Sequence, residues 1–266
     1  MFFICHILSS FKIFYIKPGG FDMRNEDKKL LCKNFAFIGV FALIFICYCS
    51  VGSRLTDKFP NSKTASADVE ERKIVVIDPG HGGEDGGAVG INGILEKDVN
   101  LIISNELCEL FRFAGYEVIP TRTEDVMLCD RNADYKGRKK ILDLAARLKI
   151  GESAMPDLFV GIHMNSFPQE KYSGLTVYYS DNTETSHFAA EALRQSVVTL
   201  LQPENHRELK TGDSIYLLDR ASYPAILIEC GFLSNPEECE LLSTDGYRQK
   251  LSFVIFSSLS SFLEEN

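Results

Sequence analysis

Histidine and glutamate stand at matching places along this chain, each closing or following a short apolar run. His81 follows the run 73–78 and the Asp78-Pro79-Gly80 turn, His163 sits near the end of the run 157–165, and Glu229 ends the run 224–229. Such β-branched apolar segments form buried strands, so all three side chains are expected at strand carboxyl ends. A lone histidine beside a core is usually a hydrogen-bonded structural residue. Two at equivalent strand ends, with acids in the adjoining loop, point to a metal instead. Neutral imidazole and carboxylate together suit zinc, and two histidines with one glutamate and an open position form a catalytic arrangement. Glu84, Asp85 and Glu96 all lie near His81 in sequence, and spacing alone does not choose among them. His6 lies in the leader, His187 at a helix start and His206 in a polar loop, which leaves His81 and His163 as the ligand candidates.

Other chemistries are poorly supported. Residues 80–93 hold seven of the 19 glycines. However, no Gly-Lys-Ser/Thr follows and the dinucleotide fingerprint is absent, so a nucleotide loop is not expected. No Gly-x-Ser-x-Gly elbow marks a serine hydrolase. Cys230 beside Glu229 reads as a small apolar strand residue, and no Cys-x-x-Cys supports a thiolate site. A Cys230–Cys239 disulfide is conceivable, but sequence cannot choose among the pairings of Cys108, Cys129, Cys230 and Cys239.

The elements that must position these residues can be read coarsely. Strands are expected at 73–78, 116–122, 157–165, 174–179 and 224–229. A helix over 98–114 places Val99, Ile103, Leu107, Leu110 and Phe111 on one face, with Asp98 as N-cap. A basic helix over 136–150 turns Ile141, Leu142, Ala145 and Leu148 inward. Further helices span about 185–201 and 246–264. Strands alternating with helices predict an α/β domain with a mainly parallel sheet covered on both faces. Sites in such sheets lie beyond the strands' carboxyl ends.

The 266 residues carry 28 Lys+Arg, 37 Asp+Glu and a net charge of −9, which argues against a nucleic-acid partner. The charge is unevenly spread. Residues 1–51 carry six basic and three acidic side chains, leaving +3 there and −12 on the remainder. Residues 35–51 contain no charge and follow Lys28, Lys29 and Lys33. They read as a transmembrane or signal segment that keeps the leader 1–34 in the cytoplasm and sends the rest outside. Met23 makes a more conventional start than Met1. Residues 52–72 are mostly polar and aperiodic and read as a linker, which places the globular domain at 73–266.

Asp78-Pro79-Gly80-His81-Gly82-Gly83 with Gly86-Gly87-Ala88, then Leu95-Glu96-Lys97-Asp98, resembles the opening of the type-3 zinc-dependent N-acetylmuramoyl-L-alanine amidases. Gly161-Ile162-His163-Met164-Asn165-Ser166 is similar to that family's second-histidine motif, and Ile228-Glu229-Cys230-Gly231-Phe232-Leu233-Ser234-Asn235 to its catalytic-glutamate motif. The resemblance covers about 73–264. It implies a twisted six-stranded sheet flanked by helices, Zn2+ held by His81, Glu96 and His163, and Glu229 as the catalytic residue. It thereby favours Glu96 over Glu84 and Asp85. The layout, with Tyr172-Ser173-Gly174 and Ile215-Tyr216-Leu217-Leu218, further resembles the germination-specific amidases, which strip peptide stems from spore-cortex muramic acid ahead of muramic-δ-lactam formation.

The expected chemistry is metal-assisted cleavage of the amide between the lactyl group and L-alanine of peptidoglycan. Glu229 would act as general base and then acid, and Asp78 and Asn165 would be outer partners of the metal-bound imidazoles. The alternatives are a vegetative amidase of cell separation and a zinc peptidase acting on stem peptides. The expected location is extracytoplasmic, anchored or secreted, including the forespore intermembrane space. The sequence does not identify an activating protein partner.

Overall fold

The apolar runs around His81, His163 and Glu229 form three adjacent strands of one sheet. The computed structural model describes residues 72–129 and 137–266. Its strands are β1 (Ile74–Pro79), β2 (Glu117–Pro120), β3 (Leu158–Asn165), β4 (Thr176–Tyr179), β5 (Lys210–Thr211) and β6 (Ala225–Phe232). Their order across the sheet is β2-β1-β3-β6-β4-β5. The first four in that order are mutually parallel, β4 runs antiparallel to β6, and β5 runs parallel to β4. The mainly parallel, six-stranded α/β sheet expected from the sequence is therefore present.

Helices cover both faces, as a mainly parallel sheet requires. They are α1 (Glu96–Phe113), α2 (Lys139–Ala154), α3 (Glu184–Leu200), α4 (Tyr216–Arg220), α5 (Pro236–Leu242) and α6 (Asp245–Glu265). On one face, Ile103 and Phe111 of α1, Leu193 of α3 and Ile255 of α6 join Val75, Ile77, Val160, Ile162, Ile226 and Ile228 in the larger core. On the other, Leu148 of α2 and Leu217 and Leu218 of α4 pack on Val76, Phe159, Ala225 and Leu227. The alternation along each strand follows from the two-residue side-chain period.

Several expectations require correction. The first helix begins at Glu96, with Leu95 rather than Asp98 at its N-cap and no side-chain cap. Carbonyls of the glycine loop take the leading amides instead, with Glu96 N–H donating to Ala88 and Lys97 N–H to Gly86. The first-turn donors are thus satisfied without a capping side chain. Helix α2 spans Lys139–Ala154 and buries Asp143, Arg147, Leu148 and Gly151. Ile141 and Leu142, expected inward, are 56% and 36% exposed, because the helix is turned by a buried ion network described below. Glu229 is not the last residue of its strand, since β6 continues to Phe232. The four cysteines of the described residues are free and buried. No Cys230–Cys239 bridge forms: Cys230 Sγ donates to the Ile228 carbonyl and Cys239 Sγ to Asn92 Oδ1.

The expected leader, membrane segment and start at Met23, and all of the expected linker except Arg72, lie outside the described residues. Among the described residues no helix is long and apolar enough to cross a membrane.

Candidate metal centre and active site

Register places the site. Pairing of β1 with β3 sets Asp78 against Gly161 and Pro79 against Ile162, and the Gly80 N–H then donates to the Ile162 carbonyl. Pairing of β3 with β6 sets His163 against Glu229. Neighbours in register share a sheet face, so His163 and Glu229 lie side by side. Gly80 lies flush against the imidazole: a Cβ there would stand 2.2 Å from His163 Cε1. Only glycine lets the loop pass this close.

His81 follows at once, in a left-handed backbone conformation with φ of 60°. Residues other than glycine adopt it uncommonly, histidine among the more tolerant, and the surroundings here hold it. Two buried guanidinium groups do so. Arg147 Nη2 donates to the His81 carbonyl at 2.6 Å and Nη1 to the Pro79 carbonyl at 2.7 Å. Arg122 donates from Nε to the Pro79 carbonyl at 3.0 Å and from Nη2 to the Gly80 carbonyl at 2.9 Å. Arg147 also pairs with Asp78 at 2.7 Å and with Asp143 at 2.8 Å. This network turns Asp143 and Arg147 of α2 toward the sheet.

Glu96, in the first turn of α1, reaches under both histidines. Its Oε1 lies 3.1 Å from His81 Nε2 and 3.1 Å from His163 Nδ1. The two rings meet edge to face with centroids 5.1 Å apart. The carboxylate is fixed by the amides of Met164, at 3.1 Å on Oε1, and Ala88, at 2.8 Å on Oε2. Gly87, with φ of 67°, leaves room for it, since a Cβ there would stand 2.5 Å from Glu96 Oε2. Burial alone would raise the Glu96 pKa. Hydrogen bonding to His163 and then His81 outweighs burial and holds the carboxyl well below the usual carboxylate range. Burial likewise opposes protonation of His81, but Glu96 and then Asp85 outweigh it and leave the His81 pKa raised.

One donor atom from each of His81, Glu96 and His163 falls within 4.8 Å of the other two. Two imidazole nitrogens and an ionised carboxylate converging on one point are a donor set for a divalent metal. A cation there would answer the buried Glu96 charge.

Glu229 faces this centre without joining it. Its Oε2 is sealed from solvent and has no hydrogen-bond partner, although the residue keeps some exposure. Burial pushes its pKa up, partly offset by His163. A carboxyl that binds a proton more readily than usual is suited to proton transfer.

The other sequence candidates are placed differently. Glu84 is an exposed partner of Lys139, 2.6 Å away. Asp85 Oδ2 lies 2.9 Å from His81 Nδ1, behind the ring on the side away from Glu96. Asp78 is bound by Thr121 and Arg147 rather than by an imidazole. The Asn165 side chain makes no hydrogen bond to either histidine, and its carbonyl accepts from the Leu233 N–H. The carboxylate beside His81 is therefore Asp85, at ion-pair distance from Nδ1 but not aligned as a hydrogen bond; the sequence offers it only as a competing ligand. His187 is exposed against Tyr179, and His206 is exposed in its loop. Arg122 and Arg147 were not anticipated. The Asp143/Arg147 pair has the i,i+4 spacing of an ordinary solvent-exposed helix pair, and Asp78, the partner that draws it inward, is 69 residues away.

Comparison with known proteins identifies the family. The profile of the N-acetylmuramoyl-L-alanine amidase family matches residues 75–261. The germination-specific N-acetylmuramoyl-L-alanine amidase of Bacillus subtilis (strain 168) is 34% identical over 197 residues, 73% of this chain and 81% of that protein. Among solved structures, the CwlD amidase from Clostridioides difficile, in complex with the GerS lipoprotein, superposes with a TM-score of 0.69 and 34% identity, covering 73% of this chain and 100% of that one. The amidase AmiC2 of Nostoc punctiforme gives 0.61 and 30%, covering 72% and 97%.

Proposed function

The chain belongs to the N-acetylmuramoyl-L-alanine amidase family and has that activity; we propose that zinc held by His81, Glu96 and His163 supports it, with Glu229 as the proton-transfer residue. The observation that carries this reading is the convergence of His81 Nε2 and His163 Nδ1 on one Glu96 oxygen, with Glu229 in register beside His163. Bound there, zinc supplies Lewis acidity, polarising an amide carbonyl and acidifying water toward a pKa of about 7. Glu229 accepts the proton of the water that attacks the lactyl carbonyl. It returns that proton to the L-alanine nitrogen as the carbon–nitrogen bond breaks, leaving a free lactyl carboxylate and a free amine. Asp85, behind His81, orients the ring and strengthens it as a donor.

The cellular role proposed is maturation of spore-cortex peptidoglycan for germination. It is supported by the likeness to the germination-specific relative. A protein partner is proposed by analogy with the CwlD–GerS complex. Export and membrane attachment through residues 35–51 rest on the uncharged run and the lysines ahead of it, and place the domain outside the cytoplasm.

Glu229→Gln tests the assignment. Zinc content should be unchanged while muropeptide cleavage falls by orders of magnitude. Retained activity would remove Glu229 from the chemistry, and lost zinc would make it a ligand.

A further inference from the structure

The row of residues that crosses the sheet at the site extends one strand further than the metal and proton-transfer groups. Gly80 directly follows β1, His163 and Glu229 lie on β3 and β6, and antiparallel pairing sets Thr176 of β4 directly against Glu229. Opposed residues of an antiparallel pair share a face, with Cβ atoms about 4.5–5.5 Å apart. The alternation along β4 agrees: Leu175 and Val177 belong to the core under α1, α3 and α6, whereas Tyr178 packs with Leu227 on the site's side. Thr176 therefore flanks Glu229 on the side opposite His163.

Thr176 is 1% exposed, and its Oγ1 has no hydrogen-bond partner. Glu229 Oε2, on the adjacent residue, is sealed and unpartnered as well. Buried polar atoms are rarely left unsatisfied, and two on neighbouring positions call for an explanation. Packing does not provide one, because valine would fill the same space without a hydroxyl to desolvate.

We propose that Thr176 is a positioning residue for Glu229, a role that rests on Glu229 being the proton-transfer group. During turnover the Thr176 hydroxyl donates a hydrogen bond to Glu229 Oε2, directly or through one water. That bond fixes the carboxylate's rotation and leaves Oε1 to exchange the proton with the water and the departing amine. No bond is made or broken at Thr176.

The test compares Thr176→Val, Thr176→Ser and Glu229→Gln in the zinc-loaded full chain. The readouts are kcat and KM for a purified muropeptide, zinc content and thermal midpoint. Thr176→Val should keep its zinc and a midpoint at or above that of the parent, while kcat falls roughly 10- to 100-fold at near-constant KM. Thr176→Ser should restore most of kcat, and adding Thr176→Val to Glu229→Gln should cost nothing further. An unchanged kcat in Thr176→Val, an effect confined to KM, a serine variant as slow as the valine one, or a further loss in the Glu229→Gln background would each overturn the inference. If Glu229→Gln itself stays active, the proton-transfer assignment fails first and takes this role with it.

Discussion

Replacing Arg147 by methionine should both destabilise the domain and weaken metal binding. Arg147 is 1% exposed and donates four hydrogen bonds: to Asp143, to Asp78, and to the carbonyls of Pro79 and His81. Methionine fills much of the volume but leaves two carboxylates, 1% and 6% exposed, without their cation. Breaking a buried ion pair by removing one partner costs about 3–5 kcal/mol. At about 2–4 °C per kcal/mol for a domain of this size, the melting midpoint should drop by roughly 6–20 °C. The same residue holds the His81 backbone at positive φ, so zinc affinity should fall in the variant at temperatures where it is still folded. Lysine should rescue only in part, because a point charge cannot serve all these acceptors as a planar fork does. Arg122 shares the Pro79 carbonyl with Arg147, so the two sites should couple in a double-mutant cycle. Urea denaturation and competitive zinc titration provide the measurements. A loss under about 1 kcal/mol with parental zinc affinity would mean that Arg147 acts as no more than an exposed ion pair.

Three further outcomes follow from the geometry of the site. Gly80→Ala would set a Cβ 2.2 Å from the His163 ring, so metal content by elemental analysis should fall and activity with it; a fully loaded, active alanine variant would contradict the packing described. Asp85→Asn should lower metal affinity by about 10- to 100-fold, as loss of an outer partner on a ligating histidine usually does, while activity at saturating metal largely returns. In metal-free protein, burial raises the Glu229 pKa in the folded state, so the folded state favours the proton; Glu229 adds no penalty below its unfolded pKa and costs stability as pH rises through its folded pKa. Glu229→Gln should therefore melt above the parent in mildly alkaline buffer, with the gap closing toward pH 4. A gap independent of pH would argue against a desolvated carboxylate.

Much of this architecture was legible in the sequence. Buried parallel strands need apolar side chains on both faces, so β1, β3 and β6 stood out as unbroken runs and carried His81, His163 and Glu229 with them. Readings went astray where distant partners decided the outcome. Periodicity turns Ile141, Leu142, Ala145 and Leu148 of α2 inward; Leu148 is buried, but Asp143 and Arg147 take the rest of that face because Asp78 and the carbonyls around His81 bind them. The N-cap falls on Leu95, three residues before Asp98, because loop carbonyls take the leading amides of Glu96 and Lys97. Asp85 and Glu96 could not be separated by spacing, because what distinguishes them is which side of the His81 ring each approaches.

A metal held by His81, Glu96 and His163 is proposed to drive cleavage of the lactyl–alanine amide. The decisive experiment strips the protein with a chelator, restores zinc stepwise and follows muropeptide products by mass spectrometry. Cleavage should vanish on chelation and return in proportion to zinc up to one equivalent. The products should be a glycan with a free lactyl carboxylate and a peptide beginning at L-alanine. Cleavage that survives complete removal of the metal, or products cut within the stem peptide, would contradict it.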